Sequence, residues 1–249
     1  MSSNSLSLNS DFFYLSSIKE SFLKFKESEA TTIDVKYYLF SLEMRSNMIN
    51  WITFLCNTLN FTNISLFRTI SIFDQYISKL SKKELEEMAQ DQLNLITIGC
   101  LSLSTKLEEI NCNYISFLIE KVLNSPNRKI YTNKDLAKME LTILKTLKFK
   151  ILYSTPLDFI DIFVSIFLNF LGKSGSFLTP EIISNIKIMS INNMKDNVNN
   201  VYYLINNASH FAYLCFIQAL NQLSMINIAF YKKLEKSIMT FNYQFANIF

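Results

Sequence analysis

The sequence predicts an all-α protein made of two helical halves preceded by an N-terminal helix, and three observations carry that expectation. Of its 249 residues, 49% are hydrophobic and 18% charged, enough apolar material to bury a sizeable core. Backbone breakers are scarce, with three Gly and three Pro against 22 Phe. Such a chain favours helices joined by polar loops over a hairpin-rich sheet. Apolar residues also recur every three to four positions, the period of one helical face, and no alternating run marks a strand.

The elements follow in order. Residues 1–10 are polar and expected to be mobile. From Asp11 to Glu29 the stripe Phe12, Leu15, Ile18, Phe22 and Phe25 predicts a first helix. A second is expected over about Asp34 to Leu59, and a third over about Asn63 to Lys79 with Leu66, Phe67, Ile70, Phe73 and Ile77. Ser81-Lys-Lys-Glu84 has the form of a capping box. Leu93 to Leu107 is apolar on nearly every face, the signature of a central helix wrapped by others. A short helix over 113–123 and a polar loop around Asn124–Lys129 lead to a helix capped by Thr132 and reaching about Lys148. Thr155-Pro156 and Thr179-Pro180 each place a hydroxyl cap before a proline suited to the first helical position. Helices are expected near 156–171, 180–194, 200–221 and 224–240, with the two halves joined near Lys150–Thr155.

Composition narrows the chemistry. Net charge is +3, from 24 basic and 21 acidic residues with no evident basic stripe, which speaks against nucleic acid as a main partner. Gly172-Lys173-Ser174 has Phe167 where a phosphate-binding loop needs its first glycine, so a turn is expected there. Cys56, Cys100, Cys112 and Cys215 lie in apolar runs without close pairing and read as buried free thiols of a reducing compartment. The start of the chain lacks an apolar secretory core. Asn197 to Tyr231 carries no charge, but Asn206, Asn207, His210, Gln218 and Asn221 interrupt it, so no membrane span is expected. His210 is the sole histidine, which excludes zinc sites needing two and reads as a core or rim residue rather than a general base. No cofactor, metal or catalytic residue is expected. The pairs Glu86-Glu87 and Glu108-Glu109 read as solvated charge, because adjacent helical residues do not share a face.

Four charged residues remain. Arg45 and Asp74 each interrupt an apolar helical stretch. A buried charge requires a partner, and Arg with Asp is the natural bidentate pair, but periodicity alone leaves pairing and solvation evenly balanced. Lys106 and Glu140, taken singly, read as ordinary surface charges.

Five segments in order resemble the cyclin box. Met44-Arg45-x5-Trp51 is similar to the opening of the first box helix, and Phe73-Asp74-Gln75-Tyr76-Ile77-Ser78 to the second-helix motif. Ser104-Thr105-Lys106-Leu107-Glu108-Glu109-Ile110 resembles the end of the third helix. Met139-Glu140-x3-Leu144-x2-Leu147-x-Phe149 resembles the fifth, and Thr155-Pro156-Leu157-Asp158-Phe159 the start of the second repeat. The resemblance covers about 37–160 and extends more thinly to about 235. It implies a cyclin-like fold with an N-terminal tail and helix over 1–35, a cyclin box over 36–152 and a divergent helical repeat over 153–249.

The resemblance also implies a function. A cyclin would bind a cyclin-dependent protein kinase as a heterodimer and activate it in cell-cycle control, in nucleus and cytoplasm, without chemistry of its own. Lys106 and Glu140 match the residues that grip the end of the kinase C-helix; Leu103, Leu107, Leu144, Phe149 and Ile151 match the apolar bed beneath it. Arg45 and Asp74 match the family's buried ion pair, and Leu95 a box core position. Met44, Asn47, Met48, Trp51, Leu93 and Asn94 match a patch that docks substrate proteins. There Asn47 replaces an aliphatic residue and Phe54 an acidic one, which speaks against docking of the usual specificity. None of the three arginines begins an Arg-x-x-Leu degradation signal. The competing reading is a cyclin-fold scaffold for a transcription-related kinase or a non-kinase partner; retained Lys106 and Glu140 weigh against it.

Overall fold

A computed structural model describes residues 4–33, 38–110, 131–171 and 179–226, and the side chains of 16–33, 38–110, 131–169 and 179–223. Ten helices run through them: α1 (Asn4–Glu27), α2 (Leu42–Thr58), α3 (Asn63–Ile77), α4 (Lys82–Glu86), α5 (Gln90–Glu108), α6 (Asn133–Thr146), α7 (Pro156–Leu171), α8 (Pro180–Asn197), α9 (Val201–Ile205) and α10 (Ala208–Ile226). No strand occurs among the described residues.

The chain forms two compact units that do not follow its linear order. One gathers Met1–Glu29, Pro156–Asn197 and Ala208–Phe249; the other gathers Ala30–Thr155 and Val198–Asn207.

The second unit is built around α3 and α5. Every residue from Ser65 to Ile77 in α3, and from Leu93 to Thr105 in α5, is buried. Helices buried on every side need neighbours that enclose them, and here α2, α6 and the segment before α2 do so. Local signals set the helix ends. Thr62 Oγ1 accepts from Ser65 N at 3.3 Å to start α3. Capping boxes at Ser81/Glu84 and Thr132/Asp135 start α4 and α6, each leaving fewer amides without partners.

The first unit has an aromatic interior. Phe22 of α1 meets Phe159 of α7 edge-on at 5.5 Å between ring centroids, and Phe216 of α10 lies 5.9 Å from Phe167. Each such buried ring contributes roughly 1.5–3 kcal/mol. In α10, which packs against α7 and α8, the small residues Ala212 and Ala219 have no exposed surface.

Several sequence expectations are corrected. The second helix begins at Leu42, not Asp34. Residues 38–41 are non-helical, with Tyr38 and Phe40 buried and Leu39 exposed, the period of two that extended backbone imposes. The helix expected over 200–221 is two helices. Asn206 adopts an extended ψ of 148°, which ends α9, and both its backbone N and its side-chain amide bond back to Tyr202 O, at 3.2 and 2.8 Å. The break lets α9 join one unit and α10 the other. The first helix begins at Asn4 rather than Asp11, and α10 runs unbroken to Ile226 across the boundary expected at 224. The helix expected over 113–123, the loop Asn124–Lys129, the turn at Gly172, Cys112 and the span 227–240 lie outside the described residues.

Candidate partner-binding site

Lys106 sits in the last turn of α5, where the partial negative charge of the helix C-terminus favours a cation. Glu140 sits midway along α6. The two helices approach closely because α5 carries Gly99 at their crossing: a Cβ there would lie 3.0 Å from Ile143 Cδ1 and 3.1 Å from Met139 Cγ. At that spacing Lys106 Nζ donates to both Glu140 oxygens, at 2.6 and 2.7 Å. Ser102 Oγ, one turn earlier on α5, donates to Glu140 Oε1 as well. The Glu140 side chain is 12% exposed and that of Lys106 46% exposed. The carboxylate is therefore fixed from below while the ammonium stays at the surface. Each group keeps hydrogen-bonding capacity for a partner, since a carboxylate has about four acceptor sites and an ammonium three donors.

The apolar residues assigned to this face divide by depth. Leu103 and Ile151 are buried, Leu144 is half-buried, and Leu107 and Phe149 are 43% and 65% exposed. Ile110, beyond the end of α5, and Leu152, beyond the end of α6, are also exposed large apolar side chains that the sequence reading did not assign to this face. Phe149 is held outward by an unusual backbone. Lys148 N bonds Lys145 O at 3.1 Å and Phe149 N bonds Leu144 O at 2.7 Å, the paired bonds of a Schellman cap. Lys148 has φ 51° and Phe149 φ 61°. Left-handed backbone costs a non-glycine residue roughly 1–2 kcal/mol.

The residues after Lys106 have structural work. Arg68 Nε lies 2.5 Å from Glu108 Oε1, and Arg68 Nη1 donates to Tyr153 O at 2.7 Å. Glu109 Oε1 accepts from Thr62 N at 2.7 Å, Thr62 Oγ1 at 2.9 Å and Ser65 Oγ at 2.6 Å. Burial raises the Glu109 pKa, but its bonds to Ser65 and Thr62 outweigh that and hold the carboxyl below the ordinary range. Glu108 and Glu109 are thus not solvated charge: one neutralises Arg68 and the other caps α3. The reading fails because their partners lie some forty residues away. Glu86 and Glu87 do lie at the surface, each near a lysine four residues earlier.

Arg45 has no exposed surface. Its Nε and Nη2 donate to the two oxygens of Asp74, both at 2.8 Å, a bidentate pair. Nη1 donates to Val198 O and Asn199 O at 3.2 and 3.3 Å, and Tyr203 stacks 5.7 Å from the guanidinium carbon. Tyr38 OH donates to Asp74 Oδ1 at 3.2 Å. Burial alone would lower the Arg45 pKa; the charge and hydrogen bonds of Asp74 outweigh it and hold the pKa raised. Burial pushes Tyr203 up to about 12 and, with Asp74, carries Tyr38 further up, so both phenols are neutral hydrogen-bonding groups.

The residues matched to the substrate-docking patch lie at different depths. Met44 and Asn47 are exposed and Trp51 is half-buried, but Met48, Leu93 and Asn94 are buried, with Asn94 Oδ1 accepting from Gln90 Nε2 at 3.0 Å. Phe54 is 62% exposed on α2. Leu95, the matched core position, is buried. His210 is exposed on α10. Cys56, Cys100 and Cys215 are buried and form no disulfide, and burial pushes the Cys215 thiol up to about 12. Among the described residues no group of His, Cys, Asp and Glu could hold a metal, and no helix is long and apolar enough to cross a membrane.

Comparison with known proteins bears on the family and the fold. The family model described as "Cyclin, N-terminal domain" matches residues 15–152, more than half the chain. Cyclin-D2-2 of Oryza sativa subsp. japonica is 28% identical over 144 residues, covering 58% of this chain and 38% of that protein. Cyclin-B2-1 of Arabidopsis thaliana is 30% identical over 122 residues, 49% of this chain and 26% of that protein. G2/mitotic-specific cyclin-4 of Saccharomyces cerevisiae is 28% identical over 116 residues, 47% of this chain and 23% of that protein. The matches thus span between about a quarter and two fifths of these relatives' own lengths. In fold, the chain is similar to a viral cyclin from herpesvirus saimiri, with a TM-score of 0.56 at 16% identity over 84% of this chain and 82% of the other. An all-helical architecture and a family match running from α1 to the start of the second half lead to one conclusion: this chain belongs to the cyclin family, whose members are regulatory rather than catalytic subunits.

Proposed function

We propose that this cyclin binds and activates a cyclin-dependent protein kinase in cell-cycle control, seating the kinase C-helix on the face formed by α5 and α6. The observation that carries the reading is the Lys106–Glu140 pair, braced by Ser102 and accompanied by exposed Leu107 and Phe149. Leu107 and Phe149 supply contact area, with Leu144 half-exposed between depths; Leu103 and Ile151 form the floor that fixes them. Lys106 and Glu140 supply a donor and an acceptor for the bare carbonyls and amides at the end of a docked helix. Burying apolar area provides the affinity, and a stable pair of this kind buries on the order of 2,000 Å² or more.

Activation follows from kinase chemistry. Phosphoryl transfer requires a kinase lysine paired with a glutamate on the C-helix. A surface that contacts the inward helix better than the outward one shifts the population toward the competent state, and the shift is limited by the difference in contact energy. The chain takes part in no bond-making step.

Mixing the purified chain with a monomeric cyclin-dependent kinase tests this. Expected is a saturable rise in phosphoryl transfer that Phe149→Ala weakens by roughly 1–3 kcal/mol of binding. A chain that binds the kinase without changing its rate would remove activation from the account; a chain that binds no kinase would favour the scaffold reading.

A further inference from the structure

The outer face of α6 carries a feature that the proposed kinase face does not use. Lys134, Lys138, Leu141 and Lys145 recur at intervals of four, three and four residues, which places them on one stripe of the helix. All four are exposed, and Lys148 and Lys150, also exposed, continue beyond its end. None of the five lysines pairs with a carboxylate among the described residues. The two acidic residues of α6 are both engaged, Asp135 as a cap of Thr132 and Glu140 with Lys106 and Ser102. Five cations therefore stand within seventeen residues of a chain whose net charge is only +3.

We propose that this stripe docks an acidic, extended peptide segment of a partner protein, with an apolar side chain of that segment resting on Leu141. Charge complementarity selects the acidic partner, since five unpaired ammonium groups raise a local positive potential that recruits and orients opposite charge. Spacing selects its form. Lys134 to Lys145 spans about 16 Å at a helical rise of 1.5 Å per residue, the length of roughly five extended residues. Acidic side chains on one side of a strand, two residues apart, lie about 7 Å from one another, close to the roughly 6 Å rise from Lys134 to Lys138. Leu141, 45% exposed between the lysines, distinguishes this face from a phosphate-tracking surface. A nucleic-acid groove would instead offer aromatic platforms along the stripe for stacking; α6 has none, and the exposed ring beyond its end, Phe149, lies in the proposed kinase face.

The test uses the full chain and a fluorescein-labelled peptide of alternating glutamates around one central leucine. Anisotropy titration at low ionic strength is expected to show saturable binding that weakens as salt rises. Lys134→Gln/Lys138→Gln/Lys145→Gln should weaken it on the order of tenfold or more, and Leu141→Ala by a smaller factor with the salt slope unchanged. Equal binding by the triple variant, with its helical circular dichroism intact, overturns the proposal. So does tighter binding of a single-stranded oligonucleotide of equal charge, or indifference to the central leucine. Kinase stimulation by the triple variant is read in parallel: loss of peptide binding with stimulation retained is expected, whereas loss of both would merge the stripe with the kinase face and overturn a separate docking site.

Discussion

At Arg45 a guanidinium without solvent exposure is held by a bidentate carboxylate, two backbone carbonyls and an aromatic ring. Removing one side of such a pair leaves the other charge buried and uncompensated. Arg45→Met is therefore expected to cost about 3–5 kcal/mol, read as a fall in the urea midpoint. Arg45→Met/Asp74→Leu should recover part of that loss but not all, because the carbonyls of Val198 and Asn199 would still lack their donor. Glu109 gives a pH-dependent prediction. Its folded-state pKa lies below its unfolded value, so its contribution is present above about pH 4.3 and is lost as pH falls through the folded value. Glu109→Gln should flatten the decline in stability between roughly pH 5 and pH 3, as seen by thermal melts across that range. An unchanged slope would show that the bonds to Thr62 and Ser65 do not couple to folding. Residue chemistry alone left the first of these roles evenly balanced and did not find the second. Arg45 and Asp74 were legible as a candidate pair because charge in an apolar stripe demands a partner. Glu109 was not, because nothing local reveals that it caps a helix starting at Asn63.

The α5–α6 crossing and the end of α6 are the elements on which the proposed partner face depends. Gly99 permits the crossing, since added atoms would meet Ile143 and Met139 near 3.0 Å. Gly99→Val should cost about 1–3 kcal/mol by overpacking. It should also weaken kinase binding beyond its effect on stability, by moving Glu140 away from Ser102. At the end of α6 the Schellman cap has Lys148 where glycine is favoured. Lys148→Gly is expected to raise stability by about 1 kcal/mol. Phe149→Ala, at a side chain 65% exposed, should leave the melting temperature nearly unchanged while weakening kinase binding. Strain retained at an exposed aromatic that contributes little packing to the free chain is the pattern of a prepared contact. Most helices were legible from period and caps: α3, α5 and α6 begin or bury where pattern and capping residues indicate. The start of α2 was not, because Tyr38 and Phe40 read as a helical continuation unless the exposed Leu39 between them is given its weight.

Across the molecule, composition and helical period made the all-α class legible, and five ordered motifs made the cyclin box legible. The interleaving of units was not. Val198–Asn207, from the second half of the sequence, belongs to the same unit as Ala30–Thr155, and Arg45, Asn50, Ser71 and Ile33 hold it there through Val198, Asn199, Tyr203 and Leu204. These are polar contacts between distant segments with no periodic trace in either. The residues matched to the substrate-docking patch were legible as a list, but their depth was not: Met44 is exposed while Leu93 and Asn94 are buried.

At the scale of the partner complex, α5 and α6 are proposed to form the kinase-binding face, with Lys106 and Glu140 at its rim. The most direct measurement is the affinity of Lys106→Ala/Glu140→Ala for a cyclin-dependent kinase, by calorimetry, with the helical circular dichroism spectrum recorded alongside. The predicted result is loss of detectable binding with an unchanged spectrum; wild-type affinity in the double variant would contradict the assignment.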